Sequence, residues 1–236
     1  METKERLIVA LDMLDLGEAK KLVKTLDGLV GFFKVGLILY TLGGPAFVEW
    51  LQEQGKKVFL DLKLFDIPET VEKTVENVAK TGVSFLTVHG NAKIIEYAVR
   101  GRGNHPLKLL AVTVLTSLDA ADLQDLGFPC PLEELVLHRA KKALAYGCDG
   151  VVASGRETRL IRRELGKNLL IVTPGVRQVS GSSGAGDLQK RVVTPREAIA
   201  AGSDYLVVGR PVIKAPDPRT AAARILEEMA GANFST

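Results

Sequence analysis

The chain has 236 residues, a length that suits one α/β barrel or two small domains. Its 46% hydrophobic and 25% charged residues are typical of a folded globular protein and argue against a disordered chain. Lys and Arg number 31 against 28 Asp and Glu, so the net charge of +3 does not indicate the dense basic surface of a nucleic-acid-binding protein.

The cysteines and histidines narrow the possible classes of protein further. Cys130 and Cys148 cannot build a disulfide framework, and the three histidines lack the spacing of metal ligands, so we expect no structural zinc site. No apolar run approaches the roughly 18 residues of a membrane-spanning helix. These features predict a cytoplasmic protein without a membrane partner.

Short apolar segments alternate with longer amphipathic segments along the whole chain. The predicted strands are 7–12, 31–36, 57–63, 84–90, 107–115, 149–155, 169–175 and 204–210. The predicted helices are 17–27, 45–55, 68–81, 92–101, 132–146, 156–166, 195–201 and 218–230. Nearly continuous apolar strands are typical of a parallel sheet covered on both faces. Eight such units predict an α/β fold, a (β/α)8 TIM barrel in which 1–236 form one domain, with an open doubly wound sheet as the alternative.

Two connections are longer than the others, namely 116–131 and 176–193. The second is rich in Gly and Ser. A long loop of this composition at the C-terminal face of a barrel predicts a mobile lid, over about 176–191.

Charged residues stand where a purely structural strand would end in apolar ones. Asp12, Lys34, Asp61 and Lys63 lie in or at the ends of the first three strands, and Asp66 follows closely. Of these, Lys34, Asp61, Lys63 and Asp66 are predicted to form an alternating array of four charges. Side chains alternate along a strand, so Asp61 and Lys63 share one face. Burying either ion alone would be costly. The set indicates an active site, because perturbed ionisable groups cluster there; a structural salt bridge at the barrel mouth is the alternative.

A second group of residues is suited to binding phosphate. Glycine lets the backbone approach a ligand at Gly209, and Arg210 can hold a phosphate with two hydrogen bonds. Arg177 lies one strand earlier, and Gln189 can add a hydrogen bond from the predicted lid. The alternative is a helix cap with a surface arginine.

Three further polar residues follow the fourth and fifth strands. The hydroxyl groups of Thr116 and Ser117 are suited to binding the amide edge of a heterocycle. His89 is interpreted as a hydrogen-bonded structural residue.

Taken together, seven segments resemble the orotidine 5′-monophosphate decarboxylase family, in its bacterial type, over nearly the whole chain. They are LIVALD (7–12), FFKVG (32–36), FLDLKLFDIPET (59–70), VTVLTS (112–117), TPGVR (173–177), GDLQKRVVTP (186–195) and YLVVGRP (205–211). The Asp-x-Lys-x-x-Asp pattern also occurs in related barrels that act on sugar phosphates, such as hexulose-phosphate synthase and ketogulonate-phosphate decarboxylase. The second of these enzymes uses a magnesium ion. Ile67, Pro68 and Thr70 favour the orotidylate branch.

The resemblance implies a role for each site residue in a cofactor-free decarboxylation that yields UMP. Lys63 would protonate C6 as carbon dioxide leaves, and Asp61 would lie beside the substrate carboxylate. The remaining implied roles are ribose contacts from Asp12 and Lys34, ribose contacts across a homodimer interface from Asp66 and Thr70, a pyrimidine edge held by Thr116 and Ser117, and phosphate contacts from Arg177, Gln189, Gly209 and Arg210.

Two other functions remain open from the sequence. One is a metal-dependent sugar-phosphate lyase on the same barrel. The other is a phosphate-ligand sensor that lacks the chemistry; the full charged set disfavours it, because a binding protein needs no proton donor.

Overall fold

The eight apolar segments form eight parallel strands that close into one barrel. A computed structural model describes residues 2–177 and 191–232. The strands follow the chain in order around the barrel, and β1 pairs with both β2 and β8. They are β1 (Leu7–Ala10), β2 (Phe32–Gly36), β3 (Lys57–Leu64), β4 (Phe85–His89), β5 (Lys108–Val112), β6 (Gly150–Val152), β7 (Leu170–Thr173) and β8 (Tyr205–Val208). The (β/α)8 barrel is confirmed, and closure excludes the open sheet.

Helices follow the strands and cover the outside of the barrel. They are α1 (Leu16–Thr25), α2 (Leu37–Glu53), α3 (Pro68–Ala79), α4 (Ala92–Arg102), α5 (Ala120–Asp125), α6 (Leu132–Ala145), α7 (Gly155–Leu165), α8 (Pro195–Ala200), α9 (Arg210–Ile213) and α10 (Pro218–Ala230). A short 3-10 turn, Thr3–Arg6, precedes β1. None of the described helices is long and apolar enough to cross a membrane.

Local chemistry explains where many helices begin. Asp15, Ser154 and Asp217 each accept a hydrogen bond from a backbone N–H of the first turn. Pro68, Pro195 and Pro218 occupy first-turn positions, where a missing N–H costs little.

The structure differs from the predicted helices at one boundary and contains two helices that the sequence does not predict. The second helix begins at Leu37 rather than residue 45, because a helical segment precedes a kink at Gly44, whose φ is 48°. The connection 116–131 contains α5, which Asp119 and Asp122 stabilise through a capping box. Helix α9 begins directly at Arg210.

The barrel interior is filled by its own apolar cluster, apart from the core between the barrel and the helices. It contains Ile8, Ala10, Phe32, Phe59, Phe85, Leu110, Val172 and Val207. The rings of Phe32 and Phe59 contact that of Phe85 with centroids 5.0 and 5.9 Å away. This packing closes the barrel below its C-terminal mouth, so the mouth is a pocket and not a channel.

Candidate active site

Four charged side chains form a continuous ion-paired chain at the C-terminal ends of β1, β2 and β3. The Nζ of Lys34 lies 3.0 Å from Oδ1 of Asp12 and 3.3 Å from Oδ2 of Asp61. The Nζ of Lys63 lies 2.9 Å from Oδ1 of Asp61. The prediction that Asp61 and Lys63 share a face is confirmed, and the signs alternate along the chain.

The backbone of β3 is irregular where it carries this network. The pairing of β3 with β4 shifts register between Leu60 and Leu64, and Lys63 has a φ of 50°. This left-handed conformation costs an ordinary residue about 1–2 kcal/mol. The Thr87 hydroxyl accepts a hydrogen bond from the Lys63 N–H at 2.9 Å and donates one to Asp61 Oδ1 at 3.0 Å. One buried hydroxyl therefore holds both Lys63 and Asp61.

The network keeps its two most buried members, Lys34 and Asp61, charged. Burial alone would raise the pKa of Asp61, but the ammonium groups of Lys34 and Lys63 outweigh it and hold that pKa below its usual range. Burial likewise disfavours the Lys34 ammonium, yet Asp61 and Asp12 outweigh it and raise the pKa of Lys34. At neutral pH the buried centre of the network is thus a carboxylate between two ammonium groups.

All four charged residues line one cavity of about 570 Å³ at the barrel mouth. Thr116 and Leu115 line it beyond the end of β5, and Arg177 and Arg210 line it beyond β7 and β8. The four charged residues in its wall are Asp12, Lys34, Asp61 and Lys63, and Gly209 is a further wall residue. Such a cavity holds a drug-sized or nucleotide-sized molecule.

Two arginines give one part of the cavity a positive charge. Burial, and next the charge of Arg210, lower the pKa of Arg177. The two guanidinium groups therefore repel each other across the cavity wall. Guanidinium groups are suited to binding phosphate, so this part of the cavity is a candidate phosphate site.

Asp66, which the sequence groups with the network, and Thr70 are not among the described residues that line this cavity. Both are exposed, and the Asp66 carboxylate accepts a hydrogen bond from the Ile67 N–H at 2.6 Å. Within residues 2–177 and 191–232, no ion pair joins Asp66 to Lys63. Asp12 takes the fourth place in the network instead.

Other predicted residues have mixed outcomes. Ser117 is partly buried but is not among the described residues that line the cavity. Gln189 and residues 178–190 of the predicted lid lie outside the described residues.

The interpretation of His89 as hydrogen-bonded is wrong at one nitrogen, because its buried Nδ1 has no hydrogen-bond partner among the described residues. The ring stacks on Phe65 with centroids 4.3 Å apart.

Sequence reasoning missed Thr87, Glu157 and Arg191. Thr87 is a hydroxyl within an apolar strand, a signal that could have been used. Arg191 is the last residue of the predicted lid, but in the structure it is buried against Glu157. Among the described residues, no group of three or more His, Cys, Asp and Glu side chains could hold a metal ion.

A closed (β/α)8 barrel whose mouth holds alternating lysines and aspartates beside two arginines has the architecture of an enzyme for a small anionic substrate. Residues 5–225 match the family model described as the orotidine 5′-phosphate decarboxylase / HUMPS family. The chain belongs to this family, as its motifs predict.

Individual relatives agree with the family match. The chain is 54% identical over 221 residues to a protein of Methylococcus capsulatus named orotidine 5′-phosphate decarboxylase, covering 93% of this chain and 90% of that one. A protein of the same name from Nitrobacter winogradskyi is 50% identical, with 97% and 94% covered. The crystal structure of orotidine 5′-phosphate decarboxylase from Lactobacillus acidophilus superposes with a TM-score of 0.81 at 37% identity, covering 95% of this chain and 99% of that one.

Proposed function

We propose that the protein decarboxylates orotidine 5′-monophosphate to UMP and carbon dioxide, the last step of de novo pyrimidine synthesis, without a metal or cofactor. The observation that carries this proposal is the alternating network, in which the ion-paired Lys63 lines the cavity. The names of relatives at 50–54% identity support the same reaction.

The proposed reaction replaces a carboxylate on C6 of the pyrimidine by a proton. The bond between C6 and the carboxylate carbon breaks, carbon dioxide leaves, and the electron pair stays on C6. The Lys63 ammonium stabilises this developing charge and transfers a proton to C6, and solvent then reprotonates the amine. Because Asp61 holds the ammonium at 2.9 Å, the proton donor is charged and oriented before the substrate binds.

Asp61 has a second proposed effect. Its carboxylate would lie beside the carboxylate of the substrate, so the two negative charges would repel each other before the reaction. Loss of carbon dioxide removes this repulsion, whereas the attraction between Lys63 and C6 increases as charge develops. Lys34 and Asp12, which pair next along the network, would hydrogen-bond the ribose hydroxyls.

The rest of the substrate would extend to the other walls of the cavity. Thr116, with Ser117, would hold the pyrimidine edge, and Arg177, Gln189, Gly209 and Arg210 would hold the phosphate. The phosphate is remote from C6, so its binding energy can act on the transition state only by holding the substrate and the enzyme in the reactive arrangement.

We also propose a homodimer in which Asp66 and Thr70 reach the ribose of the partner's site. The support is a set of exposed apolar side chains that follow the neighbouring strands β2 and β3. They are Leu37, Ile38, Leu42, Phe65 and Ile67. Exposed apolar groups at the same end of adjacent strands are typical of a protein interface, and Asp66 lies among them.

Mixing two inactive variants tests this arrangement. Lys63→Ala and Asp66→Ala homodimers should each be inactive. If Asp66 acts across the interface, a mixed dimer contains one site with both native residues, so random mixing should restore about a quarter of the wild-type activity. No recovery after confirmed subunit exchange, or a monomer by sedimentation at assay concentrations, would contradict the crossed site.

The reaction itself is tested by incubating the protein with orotidylate and following the ultraviolet absorbance. Turnover to UMP is the expected result, and the Lys63→Ala variant is the matched control. Binding without turnover would indicate the sensor, whereas the absence of both binding and turnover would indicate the sugar-phosphate lyase. The unpaired thiols of Cys130 and Cys148 support the prediction of a reducing compartment such as the cytoplasm.

A further inference from the structure

A buried ion pair lies apart from the charged network, between Arg191 and Glu157. Arg191 Nη1 lies 2.9 Å from Glu157 Oε1, and the two residues are only 6% and 3% exposed. The Ser154 hydroxyl donates to the other carboxylate oxygen of Glu157. Ser154 also caps α7, so the anchor of Arg191 is fixed to the first turn of a helix.

The second arm of the Arg191 guanidinium reaches the loop that follows β5. Its Nη2 donates to the carbonyl oxygens of Leu115 and Val114, at 2.8 and 3.3 Å. Val114 and Leu115 line the cavity and lead directly into Thr116. A planar guanidinium can hold a carboxylate and these carbonyls at once, which gives the loop a fixed position.

The residues after Arg191 are attached to the loop that follows β7, which also lines the cavity. The Val193 carbonyl accepts a hydrogen bond from the Arg177 N–H at 2.9 Å, and the Val193 N–H donates to the Gly175 carbonyl at 3.3 Å. The Val193 side chain packs over Gly155, where a Cβ would lie 2.3 Å from it. Residues 191–193 therefore connect the Thr116 loop to the Arg177 loop.

We infer that Arg191, held by Glu157, is a positioning residue that sets the distance between the pyrimidine end and the phosphate end of the cavity. The inference rests on the proposed function, in which Thr116 and Arg177 contact those two ends of the substrate. Among residues 2–177 and 191–232, the polar contacts of Arg191 are Glu157 and two backbone carbonyls, and they include neither Thr116 nor Arg177.

The proposed role predicts a particular dependence on substrate. Orotidylate has both a pyrimidine and a phosphate, so it must satisfy both ends of the cavity at once. Orotidine lacks the phosphate and can settle against the pyrimidine end alone. A small error in the distance between the two ends therefore penalises orotidylate more than orotidine.

The test compares kcat/KM for orotidylate and for orotidine in Arg191→Lys. Lysine keeps the charge, but its single ammonium group cannot reach Glu157 and both carbonyls together. We expect the kcat/KM for orotidylate, divided by that for orotidine, to fall about tenfold or more. The fall should stay below the ~100-fold that a misplacement of 1 Å costs. The ratio does not depend on the fraction of folded enzyme, because both substrates are measured on the same sample.

Arg162→Lys is the matched control. Arg162 pairs with Asp204 and donates to the carbonyls of Gly202, Gly166 and Leu169, before the first residues of β7 and β8 and thus at the opposite end of the barrel. It should lower stability without changing the ratio.

Glu157→Gln is a second variant that keeps the shape of the anchor and removes its charge, and it should lower the ratio less. If Arg191→Lys does not fold, the ratio measured for Glu157→Gln tests whether Arg191 positions the two ends of the cavity. An unchanged ratio in the folded variants, with an active wild type, would overturn the inference alone. Lack of turnover by the wild type would instead count against the proposed function.

Discussion

Replacement of Lys34 by Met removes the central ammonium group of the network and keeps an unbranched apolar side chain in its place. The Lys34 side chain is 9% exposed and joins Asp12 to Asp61. Asp61 is 12% exposed, whereas Asp12 is 44% exposed and can turn toward water. The main consequence is therefore a buried Asp61 carboxylate that has lost one of its two cationic partners.

The size of the effect follows from what Asp61 retains. Removing one partner of a buried ion pair costs about 3–5 kcal/mol. Asp61 keeps the Lys63 ammonium at 2.9 Å and the Thr87 hydroxyl at 3.0 Å, so we expect a loss of about 3 kcal/mol, near the lower limit. For a chain of this size that loss lowers Tm by roughly 6–12 °C.

The effect should depend on pH with a definite sign. The folded pKa of Asp61 is below its usual 3.8, so the stability from its charge is present above 3.8 and is lost as pH falls through the folded value. In Lys34→Met that pKa rises, and a protonated carboxyl needs no cationic partner. The difference in Tm between the two proteins, measured by circular dichroism, should be largest near neutral pH and shrink below about pH 4.

Lys56→Met is the control that isolates the buried carboxylate. The Lys56 side chain is 10% exposed, nearly the same as Lys34, but its partner Asp27 is 71% exposed. Water can solvate Asp27 once the ammonium is gone, so Tm should fall much less than in Lys34→Met. Equal losses in both variants, or a difference that does not depend on pH, would refute the reasoning.

The remaining predictions concern the chemistry. Lys63→Ala should abolish product formation with fold and dimer intact, and near-normal turnover would exclude Lys63 as the proton donor. Arg210→Ala should lower kcat/KM for orotidylate about 10–100-fold, the worth of one charge-assisted hydrogen bond, and leave orotidine turnover nearly unchanged; an unchanged value for orotidylate would contradict the phosphate assignment. EDTA should not change the rate, and loss of activity restored by magnesium would contradict a metal-independent reaction.

The barrel could be predicted from sequence because its strands are buried on both faces. Such strands appear as continuous apolar segments, and each is followed by an amphipathic helix. Closure could not be predicted from the number of strands. It depends on the pairing of Leu7, Ile8 and Val9 with Leu206, Val207 and Val208, which only the folded chain shows.

The network was predictable only in part. Period-two alternation places Asp61 beside Lys63, but it does not show that β3 becomes irregular or that Lys63 takes a φ of 50°. The roles of Thr87 and Arg191 could not be predicted, because they depend on contacts with residues 24 to 77 positions away along the chain. Asp66 is near Lys63 in sequence, yet the turn after β3 directs it away from the network.

The aromatic interior of the barrel is part of the site's electrostatics. Three neighbouring strands each place an aromatic residue inside the barrel and a polar residue two positions later at the mouth. These pairs are Phe32 and Lys34, Phe59 and Asp61, and Phe85 and Thr87. The packed rings exclude water from below, so the charges are desolvated on that side and face the cavity on the other. A low dielectric beneath fixed charges strengthens their interaction with charge that develops on a bound substrate. The same two-residue period that fills the barrel thus places the network where a carbanion could be stabilised without reorganising water.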